Sequence, residues 1–597
     1  MPLMSENPTP TGALTTDEAV RYTVRFPSPQ THYVEVEASY PAAGPYLDLM
    51  MAVWTPGSYL VREYARHVEG VTARSLEGRV LGVEKTRKNR WRVTTGGASR
   101  VTLTYRVYGR EMSVRTNWIE GRFALLNGAP TFITPADTSV GRPHVVTLEL
   151  PESWTSSVSG LADDGPHRFR AADFDELVDS PILAGNPAIH AFEAGGRQHL
   201  LVNEGEDGVW DGARAARDVE RLVASAEAFW GELPYSKYVF INLITEASGG
   251  LEHRNSTVLM TNRWSTSTRR AYLGWLTLAA HEFFHVWNVK RLRPVELGPF
   301  DYEREVYTTG LWVSEGLTSY YEYVIVRRAG LSTQDELLEA LSTDIRQLQT
   351  TPGRLQQPVE DASFDAWIKH YRPDENTPNT AISYYTKGAV VGFLLDARIR
   401  AATGGARSLD HVLRLAHERY SGSRGFTDED FRLTVHEIAG RDFGGWWTHV
   451  LESTDELDYT EALDWLGLRF RPAARAEGAA GNPKAWLGVT TRIDSGRLIV
   501  TQVRRETPAY EAGVNVDDEI VAIGDFRVRA DQLGTRLEQY RPGQAVSLLV
   551  ARREHLTRLD VTLGQEPEDT WRLEPRPEIT PEQRQRLDTW QQQDAER

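Results

Sequence analysis

The sequence has no cysteine among its 597 residues, so disulfides and thiolate metal ligands are both excluded. It also lacks any apolar run near the roughly 18 residues that a membrane-crossing helix needs; the best, Val390 to Leu395, reads as a core helix. Positive charge is scarce. With 67 Lys and Arg against 83 Asp and Glu, the net charge is −16 and the pI near 5.5, which argues against nucleic acid or an anionic membrane as a partner. Met1 to Ala19 is rich in Pro, Thr and acidic residues and has neither the basic nor the apolar region of a secretory signal. A disordered tail over residues 1–19 and a cytoplasmic location are therefore expected. What is present is ordinary for a globular protein: 40% hydrophobic and 25% charged residues, with length for three or four domains.

Residues 20–194 alternate apolar and polar in short runs, among them Arg21-Tyr-Thr-Val-Arg-Phe26, His32-Tyr-Val-Glu-Val-Glu-Ala38 and Val101-Thr-Leu-Thr-Tyr-Arg-Val107. This period of two, broken by Gly and Pro, predicts an antiparallel β domain. Trp54-Thr-Pro-Gly-Ser-Tyr59 and Leu126-Asn-Gly-Ala-Pro130 read as turns in it, with plain turn chemistry favoured over a part in a ligand cleft. From 195 to 470 a few strands give way to helices. Ala213 to Trp230 predicts an amphipathic helix, Lys237 to Thr245 a buried strand, Gly249 to Thr261 an edge strand, and Thr333 to Gln349 and Leu409 to Tyr420 further helices. His370, His411, His417, His436 and His449 show no ligand spacing and read as structural or surface residues.

The chemistry is concentrated in His281-Glu282-Phe283-Phe284-His285, an H-E-x-x-H sequence inside an apparent helical run from Thr268 to Leu292. Residues four apart on a helix lie about 40° from each other around the axis, so both imidazoles can share a metal. Glu282 then stands beside the metal, where a carboxylate can take a proton from an attacking water. A hydrolytic zinc wants three protein ligands and one open position. The second helical run, Leu311 to Arg328, supplies a candidate third: Glu315 is an acidic residue among Leu311, Val313 and Leu317 and has little reason to be there unless something positive faces it. Gly316 suits close helix packing. Glu322, seven residues on, can accept a hydrogen bond from the free nitrogen of a ligating histidine.

His281-Glu-Phe-Phe-His285-Val-Trp-Asn-Val-Lys-Arg-Leu-Arg-Pro294 and Leu311-Trp-Val-Ser-Glu-Gly-Leu-Thr-Ser-Tyr-Tyr321 resemble the glycyl aminopeptidase family of zinc metallopeptidases, peptidase family M61. The resemblance runs from about Tyr22 to the C-terminal region. It implies that His281, His285 and Glu315 hold one zinc ion per chain, that Glu282 is the general base, and that the middle region is thermolysin-like. Gly249-Gly250-Leu-Glu252-His253 resembles the G-x-M-E-N strand of the larger aminopeptidases. The likeness implies that Glu252 binds the substrate's α-ammonium through a charge-assisted bond, while the glycines let the backbone approach an extended peptide. His253 stands where those relatives have Asn. Tyr384-Tyr385-Thr-Lys-Gly-Ala389 resembles their Y-x-K-G-A signature, which implies that Tyr385 donates to the oxyanion; the adjacent Tyr384 is not separable from it by sequence.

Arg471 to Pro483 is rich in Ala, Gly and Pro and reads as a linker. Beyond it, Ala485-Trp-Leu-Gly-Val489, Leu498 to Val503, Thr507 to Gly513 and Asp517 to Gly524 resemble a PDZ domain over residues 484–566, with Gln532 to Tyr540 as groove helix and Ala545 to Arg552 as closing strand. Such a domain can bind a peptide C-terminus. Residues 567–597 read as a polar tail with a short helix from Pro581 to Gln593. The fold expected is multidomain α+β: an N-terminal antiparallel β domain, a mostly helical thermolysin-like catalytic domain, and a C-terminal PDZ domain. The function implied is zinc-dependent removal of an N-terminal residue, with Gly or Ala preferred, from peptides with a free N-terminus. Two alternatives are a zinc endopeptidase tethered by its PDZ domain and a peptide-binding adaptor without catalysis.

Overall fold

The computed structural model describes residues 18–472, 484–567 and 570–592. The expected N-terminal tail up to residue 17 and the linker from residue 473 to 483 lie outside the described residues.

The alternating N-terminal segments form strands that bury every second side chain. In Tyr33–Pro41, Val34, Val36, Ala38 and Tyr40 are buried, and the strand pairs antiparallel with Val20–Arg25 on one side and Arg100–Tyr108 on the other. These strands belong to an eight-stranded sheet that shares one core with smaller sheets beneath it. The sheet is not wholly antiparallel. Val20–Arg25 pairs in parallel with His144–Glu149, a partner more than a hundred residues away that no local pattern could reveal. Leu126 to Pro130, read as a turn, is a strand end followed by a short buried helix, Gly128–Thr131.

A five-stranded sheet carries the middle region. Its order is Ala188–Ala194, Arg197–Glu204, Lys237–Thr245, Ser256–Asn262 and Gly249–Glu252. Lys237–Thr245 is buried on both faces: Val239, Ile241 and Leu243 pack toward Trp118 and Phe123 of the N-terminal region, and Tyr238 and Phe240 toward the helices. The predicted edge strand over 249–261 is two strands. Only Gly249–Glu252 lies at the edge; Ser256–Asn262 turns back inside it and runs parallel to Lys237–Thr245.

The helix that carries His281 spans Arg269–Phe284, with His285 as its C-cap, and is capped at its start by the Thr268 hydroxyl, which accepts from the Ala271 amide. It stops at His285 instead of continuing to Leu292. The Asn288 side chain is drawn away to Val313 O, Ser314 O and Thr318 Oγ1, and Val289 takes a positive φ of 114°, so the chain turns. The next helix opens with a π-helical turn, Trp312–Gly316, and continues as Leu317–Arg328. Wide turns of this kind re-aim single side chains and recur at functional sites. Gly316 makes a close crossing with Tyr384–Ala402: a Cβ there would lie 2.5 Å from Gly388 Cα. Behind the crossing, buried Asp410 accepts from Tyr321 and Arg328.

The PDZ sheet runs in the order Val489–Asp494, Arg497–Val503, Glu519–Ile523, Ala545–Arg552 and His555–Thr562. Its groove helix is shorter than predicted, Leu533–Leu537, because the Gly and polar residues around Leu537 bury little. Asn379 of the catalytic region joins the two domains by donating to Val503 O and accepting from the Arg505 amide. After the PDZ domain the chain returns. Leu573–Pro575 pairs with Leu468–Phe470, and the helix Pro581–Trp590 docks so that Trp590 Nε1 donates to the Tyr320 hydroxyl at 2.8 Å. Among the described residues, no helix is long and apolar enough to cross a membrane.

Candidate metal centre and cleft

The helix end and the π turn bring His281, His285 and Glu315 together with ligand atoms all within 4.8 Å of one another. Each histidine is fixed through its Nδ1. His281 Nδ1 donates to Glu322 Oε2 at 2.7 Å, and His285 Nδ1 to Asn288 O at 2.8 Å. Both Nε2 atoms then face Glu315 Oε2, at 3.6 and 3.2 Å. Burial acts against charge on all three, yet the two imidazoles hold the Glu315 carboxyl well below the usual range, and Glu315 and Glu322 push His281 up. Two oriented imidazoles and a buried carboxylate make a group that could hold a metal ion.

Glu252, Glu282 and His285 also lie within 4.8 Å of one another. We favour the first set as the metal cradle, because its nitrogens are oriented from behind. Burial, opposed by His281 and His285, pushes the Glu282 carboxyl up to about 7, a value suited to carrying a proton. Glu282 borders Gly250 on the edge strand, its side chain filling the space where a Cβ would sit. Tyr385 lines the same cleft of about 410 Å³, with its ring centroid 6.1 Å from that of His281. Burial raises its pKa well above the ordinary value, so it stays a donor. Tyr384 is buried and does not line the cleft.

Glu252 is 3% exposed, and its Oε1 has no hydrogen-bond partner among the described residues. Lys290 approaches that oxygen only to 3.9 Å and instead donates to Asp179 Oδ1 at 2.8 Å. His253 turns its Nδ1 to the same Asp179 oxygen. Burial alone would raise the Asp179 carboxyl, but Lys290 and His253 hold it at about 2. The sequence reading missed Lys290 and Asp179. Lys290 is delivered by the unforeseen turn at Val289, and Asp179 comes from the N-terminal region with no local signal.

The Trp54–Tyr59 loop, read as plain turn chemistry, is part of the cleft. Gly57 has φ +86° and packs directly on the Glu252 carboxylate where a Cβ would sit. Trp-Thr-Pro-Gly was the available signal, and it specifies the turn but not what the turn touches. Among the five scattered histidines, His370 packs at a tilt against both tyrosines, with centroids 4.9 Å from Tyr384 and 5.3 Å from Tyr385.

Three family profiles match the chain: the peptidase M61 N-terminal domain over residues 21–186, M61 glycyl aminopeptidase over 274–391, and a PDZ domain over 485–563. No curated protein matches it. Among solved structures it is similar to an aminopeptidase N family protein from Idiomarina loihiensis, at 27% identity over 96% of this chain and 99% of that one, with a TM-score of 0.88. It also matches yeast LTA4 hydrolase bound to bestatin (15% identity, 75% and 71% covered, TM-score 0.46). A variant of the M1 zinc metallopeptidase of Deinococcus radiodurans matches as well (14%, 74% and 95%, 0.45). The chain thus carries a peptidase M61 N-terminal domain and an M61 glycyl aminopeptidase domain, with a PDZ domain behind them.

Proposed function

We propose that this metallo-aminopeptidase uses zinc held by His281, His285 and Glu315 to release small N-terminal residues, Gly or Ala, from peptides. The observation that carries the reading is the buried Glu252 Oε1 beside Glu282 and His285, which has no hydrogen-bond partner among the described residues and only a long 3.9 Å approach from Lys290. A carboxylate left so is costly unless a cation completes it, and a peptide's α-ammonium is a cation that arrives with the scissile bond at a fixed distance. Gly57, packed against the same carboxylate, supports the preference for a small first side chain by narrowing the space beside the amine.

Bound in this cradle, zinc supplies a Lewis acid that polarises the scissile carbonyl. The remaining steps belong to side chains. Glu252 holds the ammonium and so sets which peptide bond is presented. Glu282 takes a proton from the attacking water and passes it to the nitrogen of the leaving peptide, so the C–N bond breaks as an amine departs. Tyr385 donates to the oxygen of the tetrahedral centre. A panel of aminoacyl chromogenic substrates, with and without an N-terminal acetyl group, tests the reading. Fast release from free Gly and Ala, with acetylated forms inert, is expected; equal cleavage of blocked substrates would replace it with an endopeptidase tethered by its PDZ domain.

A further inference from the structure

Charge in the metal cleft is lopsided. Glu252, Glu282, Glu315 and Glu322 line it, and Arg115 is the one Lys or Arg among its lining residues. Each carboxylate has a part already described: Glu315 in the cradle, Glu322 on His281, Glu282 as base and Glu252 for the ammonium. Arg115 has none. Its Nε is buried without a hydrogen-bond partner, and its guanidinium makes no hydrogen bond or ion pair among the described residues. A buried donor left in that state carries a cost that a bound anion removes.

The fold holds this side chain at the cleft. Val114, its neighbour, is 1% exposed and packs in one apolar cluster with Leu251 of the edge strand, while Arg115 lines the cleft together with Gly250. The Leu126-Asn-Gly-Ala-Pro130 segment clamps the chain just beyond. Asn127 Nδ2 donates to Thr116 O at 2.7 Å, and Asn117 Oδ1 accepts from the Asn127 amide at 2.8 Å. The Tyr64 hydroxyl donates to Arg115 O at 3.0 Å. An arginine on a backbone tied at three successive residues gives up less freedom when it binds.

Gly249–Glu252 is the last strand of its sheet, so an extended peptide can pair along the outer edge with its ammonium on Glu252. A short unblocked peptide carries a second charge, its C-terminal carboxylate. The cleft, at about 410 Å³, has the volume of a sphere roughly 9 Å across, and an extended di- or tripeptide spans roughly 7–10 Å, so both ends fall within it. Among the carboxylates of that cleft a further anion is repelled unless a cation meets it. We propose that Arg115 binds the C-terminal carboxylate of di- and tripeptides, so that Glu252 and Arg115 together select substrates by length. The planar guanidinium matches a carboxylate with two parallel donors. The inference rests on the aminopeptidase reading, which puts the ammonium on Glu252.

The test compares kcat/KM for Gly-Ala, Gly-Ala-Ala and a hexapeptide of Gly followed by Ala, each as the free acid and as the C-terminal amide. The acid should be favoured about tenfold or more at two or three residues, and not at six. That ratio should fall toward one in Arg115→Gln, with Arg115→Lys keeping more of it. A structural role for Arg115 would slow acid and amide alike and leave the ratio where it was. Equal rates for acid and amide at both short lengths, a preference that persists at six residues, or an unchanged ratio in Arg115→Gln would each overturn the site. So would a gain for the amide of Gly-Asp over that of Gly-Asn as large as the gain of acid over amide, which would assign Arg115 to an acidic side chain instead. Equal cleavage of free and N-acetylated Gly-Ala-Ala would fault the amine site, a different comparison on a different end of the peptide, so the two failures are distinct.

Discussion

His281 Nδ1 lies 2.7 Å from Glu322 Oε2, one helical stretch beyond Glu315 on the neighbouring helix. The bond fixes which nitrogen of His281 faces the metal cradle. Partners of this kind are worth about 10- to 100-fold in metal affinity. Glu322→Gln should therefore bind zinc more weakly by that factor in a chelator competition assay. Unchanged affinity would show that His281 needs no orienting partner.

Glu282 and Glu315 should separate by metal content. Glu282→Gln is expected to keep zinc and lose nearly all turnover, because it is placed to move a proton and not to ligate. Glu315→Ala should lose the metal, being one of only three protein ligands. Metal analysis by mass spectrometry decides both, and normal zinc in Glu315→Ala would reassign the third ligand.

Blocking the substrate amine tests Glu252. Acetylation leaves a buried carboxylate unpaired, which typically costs about 3 kcal/mol, or roughly a hundredfold in kcat/KM. Glu252→Ala should discriminate far less between free and blocked peptides, since the group that senses the amine is gone.

Gly57→Ala should raise KM for free peptides with little loss of stability. The new methyl would displace the Glu252 carboxylate, and the left-handed backbone adds strain. A non-Gly residue there costs roughly 1 kcal/mol, small against the loss of the amine contact. An unchanged KM would mean that the loop does not border the bound amine.

Acid stability should depend on His144. It is 2% exposed and stacks on Tyr22 in the N-terminal core. Burial, with Arg142 adding, depresses its pKa to about 3 from an unfolded value near 6.5. The neutral ring is the form that fits the fold, so its contribution is full above about 6.5 and is lost as the pH falls toward 3. The slope is about 1.4 kcal/mol per pH unit, or roughly 2 kcal/mol by pH 5. Urea unfolding of wild type and His144→Gln at pH 7 and pH 5 should show the variant with the smaller pH dependence.

The H-E-x-x-H pair and Glu315 were legible because each rests on helical spacing and an acidic residue among apolar neighbours. The end of that helix was not. Val286 to Leu292 holds no Gly or Pro to mark a stop, and the Asn288 amide, which bonds Val313, Ser314 and Thr318 at the turn, finds its partners about thirty residues later. Without that turn Lys290 would not reach Asp179. Gly57 and Asp179 were invisible for a related reason: both come from the N-terminal region, and a turn or a carboxylate carries no mark of the domain it will touch. Period-two patterning found the strands of that region but could not pair Val20–Arg25 with His144–Glu149.

The pairing of Phe470 with Leu573 changes how the PDZ domain can be removed. The strands on either side of it meet in one ladder, within about 5 Å of each other, so the domain is an insertion closed at its base and not an appendage. A stop codon before the PDZ domain would also delete Trp590, whose indole bonds Tyr320 on the helix that follows Glu315. Lost activity in such a truncation would report on that missing support as much as on peptide capture. Excision is the cleaner experiment. Splicing residue 472 to residue 570 through a few glycines closes a short loop at a small entropic cost and leaves the final helix in place, so the two contributions can be measured apart.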